Sequence, residues 1–334
     1  MQMVGTQRSG SNLVRLMLGG LPGVLAPPSA HKLRDFQDLW HRYEPLSEPV
    51  NRKRLISDLT LLIDLNALAW QPGSLDPVRA TRRMLGNTLA HAVLAIYDTV
   101  ALDAGCSAWV SKCLENVHYA DQLLATGAEI TFLHLVRDPR DVALSFLRSP
   151  IGPKDPRAVA LRWLQDQEAA RTARTLAGPN NWLEIRYEDV LAAPAEALAP
   201  TCEMLRVPWD DGALSFYRRP EAVGAPDLSV LWVNLDRPVD PSRAGDHLRT
   251  TDTEFIAAIE ELTADAMRAY GYVPRYHARA RVPSLDEIQE IYKTDRRLRA
   301  AANLRRDPTK EYTHKRRYEF LDALRRKRPW PPVP

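Results

Sequence analysis

An α/β fold built on a mainly parallel sheet is predicted by three observations. Short apolar runs with strand character alternate with longer stretches of helical periodicity. The run Ile130 to Val136 is nearly continuously apolar, as expected of a strand buried on both faces of a parallel sheet. The junctions between these segments carry helix-start signals: Gly10 and small polar residues before one helix, Asp138-Pro139 before another.

The chain opens on an extended segment, Met1 to Val4. It turns through Gly5-Thr6-Gln7-Arg8-Ser9-Gly10-Ser11-Asn12 into a helix carrying Leu13, Leu16 and Met17, which ends at Gly19-Gly20. Leu21 to His31 is Pro-rich and reads as a loop or short strand. Phe36 to Tyr43 and Asn51 to Trp70 read as helices, the second with Leu55, Leu59, Leu62 and Ile63 at helical spacing. Pro77 to Leu102 reads as one long helix, with Asp76 placed to cap it. Ala108 to Val110 is a short strand leading into Ser111-Lys112, and Asn116 to Ala125 a helix. The strand Ile130 to Val136 runs straight into Arg137-Asp138-Pro139 and a helix through Leu147. A helix over Pro156 to Leu176, a strand over Trp182 to Arg186 and a helix over Ala195 to Leu205 follow. Asp211 to Gly245 is mostly irregular, and Thr251 to Tyr270 is a helix with Thr251 or Asp252 as its cap. Leu285 to Leu304 and Tyr312 to Arg326 are helical and basic; the tail Pro329 to Pro334 cannot be helical. The expected organisation is a main domain over 1–274, with a helical insert at about 32–104, and a basic helical extension over 275–334.

The 334 residues suffice for a sizeable core, and their net charge is only +3. That charge is uneven: from Arg275 onward, 17 Lys/Arg face 8 Asp/Glu. Such an arm is expected to be a solvated face, or a contact with the body or with a second copy in a homo-oligomer. No nucleic-acid motif or interleaved aromatic pattern accompanies it, so nucleic acid is not the expected partner. Three cysteines, Cys106, Cys113 and Cys202, show no metal-ligand spacing and suit a reducing compartment. With no membrane-length apolar run and no leader, the expectation is cytoplasmic.

The chemistry centres on the first turn. Glycines at 5 and 10 let successive N–H groups curl inward, and the following helix adds partial positive charge, which together make an anion cradle. A nucleotide-hydrolysing loop would next place Lys and Ser/Thr for the terminal phosphates and Mg²⁺. Ser11 and Asn12 stand there instead, and a cation comes earlier, from Arg8. The loop therefore suits an anion held without a metal. A P-loop kinase or other nucleoside-triphosphate enzyme is the first rival reading. A non-catalytic module binding nucleic acid or another anion through its basic arm is the second.

Thr6-Gln7-Arg8-Ser9-Gly10-Ser11-Asn12 resembles the 5′-phosphosulfate loop of sulfotransferases that use 3′-phosphoadenosine 5′-phosphosulfate. Phe132 to Ser145, with the order strand, Arg137, turn, helix, Ser145, resembles their 3′-phosphate motif. Leu183 to Val190 is similar to the strand and turn that follow, and Ser242 to Leu248 is placed like their late Arg/Lys-and-Gly segment. The resemblance spans about residues 3–273, in order; Asn12 stands where the family more often has Thr. It implies a P-loop-like sulfotransferase fold and transfer of a sulfuryl group to a hydroxyl or amine of a small-molecule, sugar or lipid acceptor. It implies a donor held by Thr6 to Asn12, Arg137, Ser145, Tyr187, Arg243, Ala244 and Gly245, with no metal. Arg8 would follow charge onto the leaving group, His31 is the expected base, and Lys112 would assist the leaving group or bind the acceptor. The insert and residues 207–245 are expected to shape the acceptor pocket.

Overall fold

The computed structural model describes residues 1–66, 70, 75–228, 232–303 and 312–326. Five strands set the frame: β1 (Gln2–Gly5), β2 (Val24–Leu25), β3 (Ala108–Trp109), β4 (Phe132–Val136) and β5 (Trp182–Arg186). β1, β4 and β5 form a parallel sheet in that order, with Gly5 opposite Leu135 and His134 opposite Glu184. β2 and β3 pair in parallel beside it, and a Gln2–Ser111 bridge connects the two sheets. Every residue of β4 is buried, as its unbroken apolar run requires.

The helices are α1 (Ser11–Leu18), α2 (Lys32–Phe36), α3 (Pro49–Asp64), α4 (Pro77–Arg83) and α5 (Leu89–Asp103). Then come α6 (Ala120–Leu124), α7 (Pro139–Arg148), α8 (Pro156–Ala177), α9 (Tyr187–Ala192) and α10 (Pro194–Leu205). The last are α11 (Pro220–Val223), α12 (Ala225–Leu228), α13 (Thr253–Ala269), α14 (Leu285–Asn303) and α15 (Tyr312–Arg325). Caps explain many starts: Asp76, Asp138, Asp155 and Asp252 each accept a hydrogen bond from the first turn of their helix.

Some expectations change. The single helix over Pro77 to Leu102 is two, because Gly86 weakens the middle and the Thr88 hydroxyl restarts it by accepting from His91 N–H. Phe36 to Tyr43 is the end of α2 followed by a 3₁₀ turn, Trp40–Tyr43. Asn116 to Ala125 is a 3₁₀ segment, Leu114–Tyr119, leading into α6. The stretch 211–245 contains short helical turns, Asp211–Arg218 and Pro241–Arg243 among them. The tail Pro329 to Pro334 lies outside the described residues.

The insert packs α3, α4 and α5 around a core that includes Leu55, Leu59, Ile96 and Tyr97 and is continuous with Val4, Phe132 and Trp182 of the sheet. The basic arm docks on this same chain. Phe320 and Leu321 of α15 are buried in the insert's core, while Ile291 of α14 joins the core under α7, α8 and α13. Buried Asp295 of α14 also accepts from the backbone N–H groups of Lys154 and Asp155.

α7 is fixed to α13 by charge. Arg140, 3% exposed, donates to Asp138 at 2.7 and 2.9 Å, to Glu260 at 2.7 Å and to the carbonyl of Val273 at 3.1 Å. Removing one partner of such a network strands buried carboxylates. Arg140→Ala is therefore expected to cost about 3–5 kcal/mol in denaturant unfolding; a loss under about 1 kcal/mol would show the network to be idle.

Candidate active site

The site forms because β1 and β4 are parallel neighbours whose C-terminal ends stop together. Open α/β sheets bind ligands at that edge. β1 delivers the loop of residues 6–10 and β4 delivers Arg137. At Gly5, φ is +138° and a Cβ would lie 2.4 Å from the Leu135 carbonyl oxygen, so only glycine lets the chain leave the sheet here. At Gly10, φ is +86° and a Cβ would lie 2.2 Å from the Tyr187 ring. Gly10 caps α1 without a side chain, so the first N–H groups of α1 remain available to an anion.

Arg137 ties the strand ends together. Its guanidinium donates to the carbonyls of Arg8 at 3.0 Å and Arg243 at 3.3 Å and lies 4.4 Å from the centre of the Tyr187 ring. Its own carbonyl accepts from the Trp163 indole at 3.1 Å. Arg8 Nε donates to Ser145 Oγ at 3.1 Å, spanning the loop and α7. Burial, then the nearby Arg137 and Arg148, lower the Arg8 pKa to about 10. Asp141 anchors the late segment, accepting from Gly245 N–H at 2.9 Å, His247 N–H at 2.8 Å and the His247 ring at 2.8 Å.

A cavity of about 980 Å³ opens on this edge. It is lined by Gln7, Arg8, Gly10, Ser11, Asn12, His31, Lys112, Arg137, Ser145, Tyr187 and Arg243, so the structure gathers most of the expected residues in one space. Thr6, Ser9, Ala244 and Gly245 are not among the residues that line it. Thr6 is buried with its hydroxyl accepting from Gln167, Ser9 is fully buried, and Gly245 turns inward to Asp141. Among the described residues the insert supplies Arg34 and Asn66 to the wall. Trp232 to Asp240 supply another wall, and the arm supplies a third through Arg299, Asn303, Lys315, Arg317, Tyr318 and Glu319.

The model of a sulfotransferase family matches residues 2–211. The chain belongs to the sulfotransferase family. A solved sulfotransferase domain from the olefin synthase of Synechococcus PCC 7002 is similar at 21% identity, covering 78% of this chain and 92% of that one, with a TM-score of 0.51. A sulfotransferase domain from the curacin biosynthetic pathway aligns at 19% identity over 88% of this chain and 95% of its own, with a TM-score of 0.46. The first likeness shows the shared fold. No curated protein matches. No described helix is long and apolar enough to cross a membrane.

Beside the sulfotransferase loop lies a pair the sequence does not announce. His31 Nδ1 contacts Glu115 Oε1, and Arg34 Nη1 sits 3.7 Å from the same oxygen. Burial works to raise the Glu115 pKa, but His31 and Arg34 outweigh it and hold the carboxyl below the usual range. Burial pushes the His31 imidazole down, against the pull of Glu115, with Arg34 and Arg317 adding to the fall. The pair is thus a neutral imidazole oriented by a carboxylate, with the Ser29 hydroxyl 3.4 Å from Nε2. Burial, then Arg15, lowers the Lys112 ammonium to about 8. Only Glu115's position, three residues after Lys112, hinted at its role.

The Glu115 carboxylate favours protonated His31, so Glu115→Gln is expected to lower the His31 pKa further, measured by NMR titration of the ring; a rise would contradict the pairing.

Proposed function

We propose that this sulfotransferase moves the sulfuryl group of 3′-phosphoadenosine 5′-phosphosulfate to a hydroxyl or amine of a small-molecule, sugar or lipid acceptor. One observation carries the reading: two anion-binding features, the α1 cradle and the Arg137/Ser145 pair, share one cavity and are already bridged by Arg8. Two such features suit a donor with phosphate at both its 5′ and 3′ positions. The loop also lacks the Lys-Ser/Thr pair that a nucleoside triphosphate and its Mg²⁺ use.

The cradle of Arg8 to Asn12 would hold the 5′-phosphosulfate. Arg137 and Ser145 would hold the 3′-phosphate, with Arg243 closing over it. Sulfuryl transfer, like phosphoryl transfer, asks mainly for positioning and charge stabilisation. The acceptor oxygen forms its bond to sulfur as the bond from sulfur to the bridging phosphate oxygen breaks. The acceptor proton passes to His31 Nε2, and the developing charge falls on adenosine 3′,5′-bisphosphate. Arg8 and Lys112, both in the cavity wall, are placed to stabilise that charge.

Adenosine 3′,5′-bisphosphate is expected to raise the melting temperature more than ATP or AMP does, because only it offers both phosphates; equal shifts would count against this donor. The profile of kcat/KM should rise with pH as His31 loses its proton, below the ordinary histidine value, and fall as Lys112 loses its own near pH 8. His31→Ala should lower turnover by roughly 10²-fold or more and flatten the acid limb. An unchanged acid limb would remove His31 as the base.

A further inference from the structure

The wall supplied by the C-terminal arm lies outside the segment that the family model matches, 2–211. It reaches the catalytic loop through one residue. Arg317, on α15, is 4% exposed, and both terminal nitrogens of its guanidinium are engaged. It donates to the carbonyl of Ala30 at 2.7 Å, to the carbonyl of Leu62 at 3.2 Å and to Asn66 Oδ1 at 3.1 Å, and it pairs with Asp35. Asn66 in turn donates to the carbonyl of Ser29 at 3.2 Å, and the Trp70 indole donates to that of Pro28 at 2.9 Å. Three consecutive carbonyls, those of residues 28 to 30, are therefore each held by a side chain from elsewhere in the chain.

The next residue is His31, whose backbone sits at φ +50°, a left-handed conformation that a non-glycine residue adopts at a cost. Such a conformation persists when its surroundings over-determine it. Among the described non-glycine residues only Arg8, His31 and Arg206 have positive φ, and the first two line the active-site cavity. A buried arginine without these acceptors would be costly, so α15 and the loop enforce each other. The charged groups facing the His31 ring are Glu115 from the 3₁₀ segment, Arg34 from α2 and Arg317 from α15.

We propose that Arg317 is a positioning residue that sets the main chain before His31, making the C-terminal arm an integral part of the active site. The inference rests on His31 being the base, and its test does not require turnover. Full-length protein with ¹⁵N-labelled histidine is titrated by long-range ¹H–¹⁵N NMR, with His31 assigned from the spectrum of His31→Gln. The native protein should show one tautomer, protonated on Nδ1. In Arg317→Gln the two ring nitrogens should average and the His31 pKa should rise, since a cation is lost from its surroundings. Stabilisation by adenosine 3′,5′-bisphosphate should stay within experimental error of native. If Arg317→Gln does not fold, Asn66→Ala loosens the same loop while keeping the buried charge, and the same averaging is expected. A folded variant of either kind that keeps the native His31 tautomer and pKa overturns the positioning role. A native-like response to Arg317→Gln is thereby separable from a failure of His31→Ala to slow transfer, which would remove the base and leave the loop geometry standing.

Discussion

The structure depends on the hydrogen bond from Arg137 to the main-chain carbonyl of Arg8. That contact exists only because β1 and β4 are adjacent, parallel and in a register that pairs Gly5 with Leu135. It joins two segments 129 residues apart and brings the loop of residues 6–10 and Arg137 to the same edge. Everything around it serves to keep it in place. Trp163 holds the Arg137 carbonyl, Tyr187 stacks under its guanidinium, and Asp141 pins the late loop whose Arg243 carbonyl accepts its second bond. The Asp138–Arg140–Glu260 network then fixes the start of α7 against α13. The arginines at the centre bear like charge in a half-buried space, a condition an anionic donor relieves. This is the sense in which the edge is pre-organised.

The other half of the cavity follows a different rule. There the groups are held by polar pairs: the His31 imidazole with Glu115, and the cations Arg34 with Asp35 and Glu115 and Arg317 with Asp35. Burial pushes the imidazole toward its neutral form while His31 and Arg34 hold the Glu115 carboxyl below the usual range, so the same low-polarity surroundings would suit a base and its orienter. Arg8 and His31, both with left-handed backbone, line the same cavity.

What the sequence made legible was what is local. The loop at residues 5–12 and the run from Phe132 to Ser145 each carry their signal within a few residues. The expected strand Trp182 to Arg186 matches residue for residue. Several helix starts were readable because their caps sit beside them, as at Asp76 and Asp138. The break between α4 and α5 was missed because apolar periodicity resumes after Gly86, and Thr88 was not recognised as a cap. Long-range partners were not legible. Glu115 meets His31 across 84 residues, and Arg317 meets Asp35 across 282. Nothing in either segment alone specifies the other. The basic arm was only half legible: its composition left open a solvated face, a contact with the body and a contact with a second copy, and Phe320, Leu321 and Arg317 select the body, placing the arm in this chain's own core and cavity.

The central claim is that Arg137 reads the 3′-phosphate of the donor. Calorimetric titration of native protein and Arg137→Ala with adenosine 3′,5′-bisphosphate and with adenosine 5′-monophosphate tests it as a cycle. The account predicts that native protein prefers the bisphosphate and that Arg137→Ala loses most of that preference, a coupling of about 2 kcal/mol for a charge-assisted contact. If the preference for the 3′-phosphate survives intact in Arg137→Ala, the claim is wrong.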